Sequence, residues 1–260
     1  MNRILFERNE IVDGVATFGG ARAEHVLGVL HGEVGQALKT GEINGKIGTG
    51  EIVEIVRGGS GAEALVRVRV RHEEESLRPW ADIILAPPRP RVMKRLLPQL
   101  AAMGVGRIVL VGAKKVEKDF WGATLLKEEN YRPLLVDGLM QSGTSILPEL
   151  VCRRAFRRFV NNELDAMFPT TRRVVAHPYC GGGTTETNGT SGTGLSHESH
   201  SSQSLLLAVG PEGGWTDDEV ELLEGKGFAR YSLGPRILRT DTATIALLAQ
   251  LIISHQIGVL

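Results

Sequence analysis

Gly210-Pro211-Glu212-Gly213-Gly214 follows the apolar run Leu205 to Val209, and Leu233-Gly234-Pro235-Arg236-Ile237-Leu238-Arg239-Thr240-Asp241-Thr242-Ala243 follows the run Phe228 to Leu233. Each run reads as a buried strand, and each Gly/Pro-rich segment leads into a helical pattern. One such turn alone is an ordinary connection in which Gly and Pro serve backbone geometry. Two of them, close together near the C-terminus, point to a ligand pocket lined by backbone. The first helix is well marked. Thr216 is a good N-cap, Glu219 completes a capping box, and Asp217 and Asp218 suit the positive end of the helix. Gly225 or Gly227 ends it.

A helix N-terminus beside Glu212-Gly213-Gly214 favours a phosphate or a carboxylate. No Lys-Ser or Lys-Thr follows, so a P-loop is excluded. A Gly-x-Gly-x-x-Gly fingerprint is absent as well. No Ser or Cys sits at an elbow near a His, which removes a nucleophile reading. What remains is a pocket for a small cofactor, flanked by Arg236, Arg239 and Asp241.

Upstream, strands alternate with helices, which means a mostly parallel sheet covered on both faces. Ile83 to Ala86 is a short strand, and Val92, Met93, Leu96, Leu97, Leu100 and Ala101 recur at helical spacing. Pro98 lies inside that run and predicts a kink or a late start. Strands are expected at 107–111, 150–152 and 173–176, and helices at 125–140 and 157–168. The final helix, 244–253, is apolar on nearly every side. It must be buried on more than one face, in the domain core or between subunits.

Residues 1–76 read differently, as short strands with Gly-rich turns at Asp13-Gly14, Gly19-Gly20, Asn44-Gly45 and Gly58 to Gly61. One helix is expected at 22–30. The composition suggests a small β-barrel. Val66, Val68 and Val70 alternate with Arg67, Arg69 and Arg71, so one strand face is apolar and the other basic. That basic face is either a solvated outer surface or a phosphate-contacting stripe. A charged linker with Pro79 leads into the α/β region.

Bulk composition excludes several classes. The 260 residues carry 30 Lys and Arg against 30 Asp and Glu, so the protein as a whole does not attract nucleic acid by net charge. Two cysteines, Cys152 and Cys180, are too few for a disulfide framework and fit a reducing compartment. No apolar run is long enough to span a bilayer, and the N-terminus shows neither a secretory nor a transit pattern. Residues 179–204 are nearly all Gly, Ser, Thr, Asn, Glu and His and read as a surface insertion that builds no core. His197 and His200 lie there without further ligands, and no metal site is expected.

The two segments at 210–214 and 233–243 together closely resemble the ribosomal RNA small-subunit methyltransferase E family, of the SPOUT class of knotted methyltransferases. The resemblance runs over nearly the whole chain. It implies an α/β fold: a SPOUT-type, trefoil-knotted parallel sheet with helices on both faces over 77–260, preceded by a PUA-like, RNA-binding β-barrel over 1–76. It further implies S-adenosyl-L-methionine as cofactor, a homodimer, a cytoplasmic setting, and methyl transfer to N3 of a uridine in small-subunit ribosomal RNA. No membrane and no metal are implied.

Carried onto this sequence, Gly210, Pro211, Glu212, Gly213 and Gly214 form one cofactor loop. Leu233, Gly234, Ile237 and Leu238 hold the adenine, with Arg239, Thr240, Thr242 and Ala243 completing that wall. His177 and Pro178 match a His-Pro pair that ends an earlier strand; His177 could equally be a satisfied strand-end histidine. Arg239 would favour the anionic base and Asp241, replacing the family's Glu, would act as general base. A capping role on the last helix is the alternative for both. RNA contact would use Arg67 and Arg69 of the barrel with Arg89, Arg91, Lys94, Arg95, Lys114 and Lys115.

Departures from the family pattern fall on the substrate side. Its Gln-Lys and Glu-Leu-Gly are here Pro98-Gln99 and Ala102-Met103-Gly104, its Ser-Glu-Arg is Ala113-Lys114-Lys115, and its Glu-Gln with a following Arg is Met140-Gln141 with Thr144. These substitutions keep two other readings open: transfer to another RNA nucleotide or a ribose hydroxyl, and an RNA-binding assembly factor without catalysis.

Overall fold

The computed structural model describes residues 3–56, 64–178 and 204–256, with side chains to residue 253. The low-complexity insertion, apart from Ser204, therefore lies outside the described residues, as do Gly58 to Gly61. The chain divides into two compact units. The first holds the chain up to Pro79 with Leu97–Gly106 and Lys127–Pro148, and the second holds Trp80–Leu96, Arg107–Leu126 and the chain from Glu149 onward.

In the first unit, β1 (Ile4–Phe6), β2 (Ile11–Val12), β3 (Val15–Phe18), β4 (Ala37–Glu42), β5 (Ile47–Val56) and β6 (Leu65–Glu74) form one sheet in the order β1-β4-β5-β6-β3-β2. Asp13 (φ 50°) and Gly14 (φ 75°) turn β2 into β3 with the paired left-handed backbone of a type I′ hairpin, as Asp-Gly foretells. The alternation read in β6 is real: Val66 and Val68 are fully buried while Arg67 and Arg69 are exposed. Their core partners include Phe6 and Phe18, whose rings lie 5.4 Å apart. The Arg22 guanidinium of α1 (Gly20–Glu24) sits over both rings. The helix expected at 22–30 is thus split, since His25–Val29 winds on as a π-helical turn.

Arg3 is the polar staple of this unit. Its guanidinium donates to the carbonyls of Thr40 at 2.6 Å, Gly48 at 2.9 Å and Gly143 at 2.9 Å. It therefore joins β4 and β5 to the C-terminus of α3 (Glu128–Ser142), where the helix dipole welcomes a cation.

The second unit holds β7 (Ala81–Leu85), β8 (Val105–Val111), β9 (Glu149–Arg153), β10 (Arg172–Ala176), β11 (Leu205–Val209) and β12 (Ala229–Tyr231), in the order β12-β10-β11-β7-β8-β9. The pairs β12–β10, β10–β11, β11–β7 and β8–β9 are all parallel. All five residues of β11 are buried, as a strand needs when both faces of a parallel sheet are covered. Leu206 and Ala208 pack with Phe156, Phe159 and Val160 of α4 (Phe156–Asn162), Leu164 of α5 (Leu164–Met167) and Val220 and Leu223 of α6 (Asp217–Glu224). No helix of the described residues is long and apolar enough to cross a membrane.

Element bounds differ from the sequence reading in instructive ways. α2 (Pro90–Ala102) starts early, on Pro90, and runs through Pro98. A proline is at home in a first turn, and the half-buried Pro98 costs the bond to the Lys94 carbonyl while its own carbonyl packs closely on Gly138 of α3. The helix expected at 157–168 breaks at Glu163 into α4 and α5. α3 starts at Glu128, because residues 124–126 form a 3-10 turn instead. The strand expected at 228–233 is only the three residues of β12, which frees Ser232 and Leu233 for a loop. The last helix, α7 (Thr240–Gln256), begins four residues before the apolar run, so the Thr240–Ala243 segment is helix and not loop. Thr244, Leu247, Leu248 and Leu251 are buried, whereas Ala249 and Ile253 are exposed.

His72 on β6 gives the first unit a pH dependence. Its Nε2 lies 2.9 Å from the Thr40 hydroxyl, and burial, aided by Arg3 and opposed by Glu42, holds the imidazole below its ordinary value. The unfolded chain therefore takes up this proton first as pH falls, and stability is lost below about pH 6.5. The midpoint of urea unfolding should drop between about pH 7.5 and about pH 5.5, and His72→Gln should flatten that slope.

Candidate functional site

β12, β10 and β11 are neighbours, and their C-terminal ends open on one cavity. Open parallel sheets bind ligands at that edge, because the loops leaving the strands there are free to diverge. The register brings Ala176 level with Tyr231, and the His177 N–H donates to the Tyr231 carbonyl at 3.0 Å. The loop after β12 is fastened locally: the Gly234 N–H donates to the Ser232 hydroxyl at 3.1 Å, which also lies 3.2 Å from the Pro178 carbonyl. The loop after β11 folds back through a Gly214 N–H to Pro211 carbonyl bond of 2.8 Å. Gly214 (φ 68°) and Gly234 (φ 102°) take left-handed backbone that a side chain would strain.

Between these loops and the first turns of α7 lies a cavity of about 340 Å³, within the range of roughly 300–1,000 Å³ usual for small-molecule sites. Trp215 forms part of its wall, stacked on Phe156 with centroids 5.2 Å apart. Gly210 is needed there, because a Cβ would stand 3.0 Å from the Trp215 nitrogen and 3.2 Å from its indole.

The residues named from the sequence largely converge on this cavity. His177, Pro178, Gly210 to Gly214, Leu233, Gly234, Ile237, Leu238, Thr240 and Ala243 line it. Arg239 and Thr242 do not line it; both are exposed, and the Arg239 carbonyl accepts the Ala243 N–H at 2.8 Å, which places Arg239 at the helix cap. Asp241 is held by Arg95 of α2, Nη2 to Oδ2 at 3.1 Å, and its Oδ1 accepts the Thr242 N–H at 3.0 Å. Five lining residues were not named as site residues from the sequence: Ala176, Val209, Trp215, Tyr231 and Leu247. Ala176 and Val209 are the last residues of β10 and β11, and Leu247 follows Ala243 by one helical turn, so those three were findable; Trp215 and Tyr231 carry no local signal.

The cations assigned to RNA are placed unevenly. Arg67 is paired with Glu54 at 2.8 Å and Arg69 stands opposite Glu51, so the neighbouring strand neutralises much of that stripe. The Arg89 guanidinium reaches Glu117 at 3.4 Å, while its N–H donates to Glu212 at 3.2 Å. Arg91 and Lys94 are exposed on α2, and Lys114 is exposed after β8. Lys115 lines the cavity instead, with Nζ 2.7 Å from the Gly213 carbonyl.

One buried carboxylate holds the site together. Glu219 of α6 accepts the Lys114 N–H at 2.7 Å and, closing the capping box, the Thr216 N–H at 2.8 Å. Its side chain is thus shared by the loop after β8 and the helix that follows the glycine loop.

Known proteins share this architecture. A family model described as RNA methyltransferase domain matches residues 75–252. The chain is 30% identical to the ribosomal RNA small subunit methyltransferase E of Treponema pallidum over 250 residues, 95% of this chain and 88% of that protein. It is 23% identical to ribosomal RNA small subunit methyltransferase E 1 of Borreliella burgdorferi over 255 residues, 95% of each. Its fold is similar to that of the ribosomal RNA small subunit methyltransferase E of Neisseria gonorrhoeae, crystallised with S-adenosyl methionine, at a TM-score of 0.66, 20% identity and 96% coverage of both chains.

Truncating Glu219 to Ala abandons two part-buried N–H groups, at up to roughly 1–3 kcal/mol each and less where water can reach them. Urea unfolding should show a loss of that order for Glu219→Ala and a smaller one for Glu219→Gln, which can still accept one of the two bonds.

Proposed function

The chain belongs to the ribosomal RNA small-subunit methyltransferase E family, and on that premise we propose that it transfers a methyl group from S-adenosylmethionine to N3 of a uridine in small-subunit ribosomal RNA. The observation that carries this reading is the convergence of both Gly/Pro-rich loops on a single cavity at the C-terminal ends of β10, β11 and β12.

The cavity fits the cofactor chemically. Ile237, Leu238 and Leu247 line the cavity and offer apolar surface for a purine. Gly-rich backbone on both sides allows the close approach that a bent nucleoside requires. When bound, S-adenosylmethionine supplies an electrophilic methyl group. The remaining work belongs to this chain. The N3–H of uridine is a weak acid, so the base must lose its proton for N3 to attack. Arg239, exposed beside the cavity at the start of α7, favours the anionic base through its charge. Asp241, on the same first turn of α7 though not itself lining the cavity, is the proton acceptor in this reading. Its bond to Arg95 must open first, and a pair whose arginine is 62% exposed resists by no more than about 0–1 kcal/mol.

Arg91, Lys94 and Lys114 are the exposed cations of this unit suited to RNA phosphates. In the first unit the six-stranded sheet is read as a PUA-like barrel, residues 1–76, offering Arg67 and Arg69. The 77–260 segment is read as a trefoil-knotted domain with Leu233 to Arg239 in the knot. A homodimer would cover Ala249 and Ile253 of α7, which are exposed among the described residues. Action on the ribosome is consistent with the cytoplasm.

Arg239→Ala should cut methyl transfer at least about 100-fold, the scale of removing a charge-stabilising group, while S-adenosylmethionine affinity by calorimetry stays near wild type. Full activity in that variant would sink the assignment. Nucleotide mapping of the product should return 3-methyluridine; a ribose methyl would overturn the position and leave the transferase.

A further inference from the structure

Lys115 reaches the cavity from outside the two glycine-rich loops, and its backbone is fixed before its side chain begins. The Lys114 N–H is held by buried Glu219, and the Val116 N–H donates to the Ala113 carbonyl at 3.0 Å, which closes a tight turn around Lys115. The side chain then lies along Gly213. A Cβ on Gly213 would stand 3.0 Å from the Lys115 Cδ and 3.4 Å from its Cβ, so the lysine stem lies in close contact with the glycine. The ammonium ends 2.7 Å from the Gly213 carbonyl and 3.5 Å from the Trp215 carbonyl.

This leaves a cation bonded to neutral carbonyls alone. Among the described residues no carboxylate forms an ion pair with Lys115, although the ammonium has three protons to donate. Glu212, next in the chain to Gly213, lines the same cavity, and among the described residues its Oε1 accepts the Arg89 N–H at 3.2 Å. The lining of the cavity thus presents an ammonium and a carboxylate that form no ion pair with each other. Its complement is an α-amino acid zwitterion, and an anion placed on a preset lysine gains a charge-assisted bond.

We propose that Lys115 binds the α-carboxylate of the cofactor's amino-acid end, with Glu212 beside it receiving the α-ammonium; this rests on the S-adenosylmethionine reading of the cavity. Lys115, though exposed like Lys114, then serves cofactor selection, and Lys114 remains for RNA.

Two ligands separate the contribution of these two side chains from the rest of the pocket. S-adenosylhomocysteine carries the amino-acid end, whereas 5′-methylthioadenosine keeps the nucleoside and thioether and lacks it. By calorimetry on the full chain, Lys115→Ala should weaken S-adenosylhomocysteine about tenfold or more, as expected for a lost charge-assisted bond. Binding of 5′-methylthioadenosine should not change. Lys115→Gln, which keeps a donor for the Gly213 carbonyl without the charge, should show the same selective loss, and Lys115→Arg should restore most of the affinity. Equal weakening of both ligands would reduce Lys115 to a loop clamp and overturn the proposal, as would unchanged S-adenosylhomocysteine binding. Wild-type protein that binds neither ligand would reject the cofactor reading, and this inference with it.

Discussion

Glu219, with 5% exposure, is the one fully buried acid among the described residues. A buried charge is tolerated only when hydrogen bonds replace its water, and both of its oxygens are so occupied. Each bond fixes a different piece of the site. One sets the first turn of α6 and hence the exit of the 210–214 loop. The other sets the turn after β8 and hence the direction of Lys115. Two segments 105 residues apart in sequence are therefore held in one geometry by a single side chain.

The sheet imposes the complementary constraint. With β12, β10 and β11 adjacent and parallel, three consecutive strand ends must face the same way. Their loops cannot all turn outward, and Gly/Pro sequences let them fold over one another closely. The chain that leaves β12 must also become α7 within a few residues. Thr240 and Ala243 consequently reach the cavity from a helix, not from a loop, and Asp241 is carried to Arg95 by the same first turn.

What the sequence revealed tracks how local each cause is. Val66, Arg67, Val68 and Arg69 announce their strand because a period of two is written directly into the residues. Thr216 and Glu219 announce a helix start because the capping box spans three residues. The glycines of 210–214 announce a close approach because no other residue permits it. Lys114 and Lys115 read from the sequence as one basic surface pair, and both are exposed; contacts with Gly213 and Glu219, from the far end of the chain, are what tell the two apart. The start of α7 was missed because Thr240 to Ala243 is polar and lacks the apolar period, while the helix there is imposed by tertiary packing: Thr244, one turn in, is fully buried and its hydroxyl bonds back to the Thr240 carbonyl at 2.7 Å.

The same distinction explains where this chain departs from its family. Residues that shape the cavity act through backbone geometry, and few alternatives to Gly and Pro exist at such positions, so these motifs remain. Residues that meet a substrate act through charge, and charge can be supplied from several places. Lys115 stands where the resemblance places Arg, and a lysine ammonium is a compact point charge where guanidinium is a planar fork. Both suit a carboxylate, the fork through two bonds and the ammonium, its stem lying along Gly213, through one, so lysine at position 115 keeps the charge of that part of the site and leaves the walls of the cavity as they are.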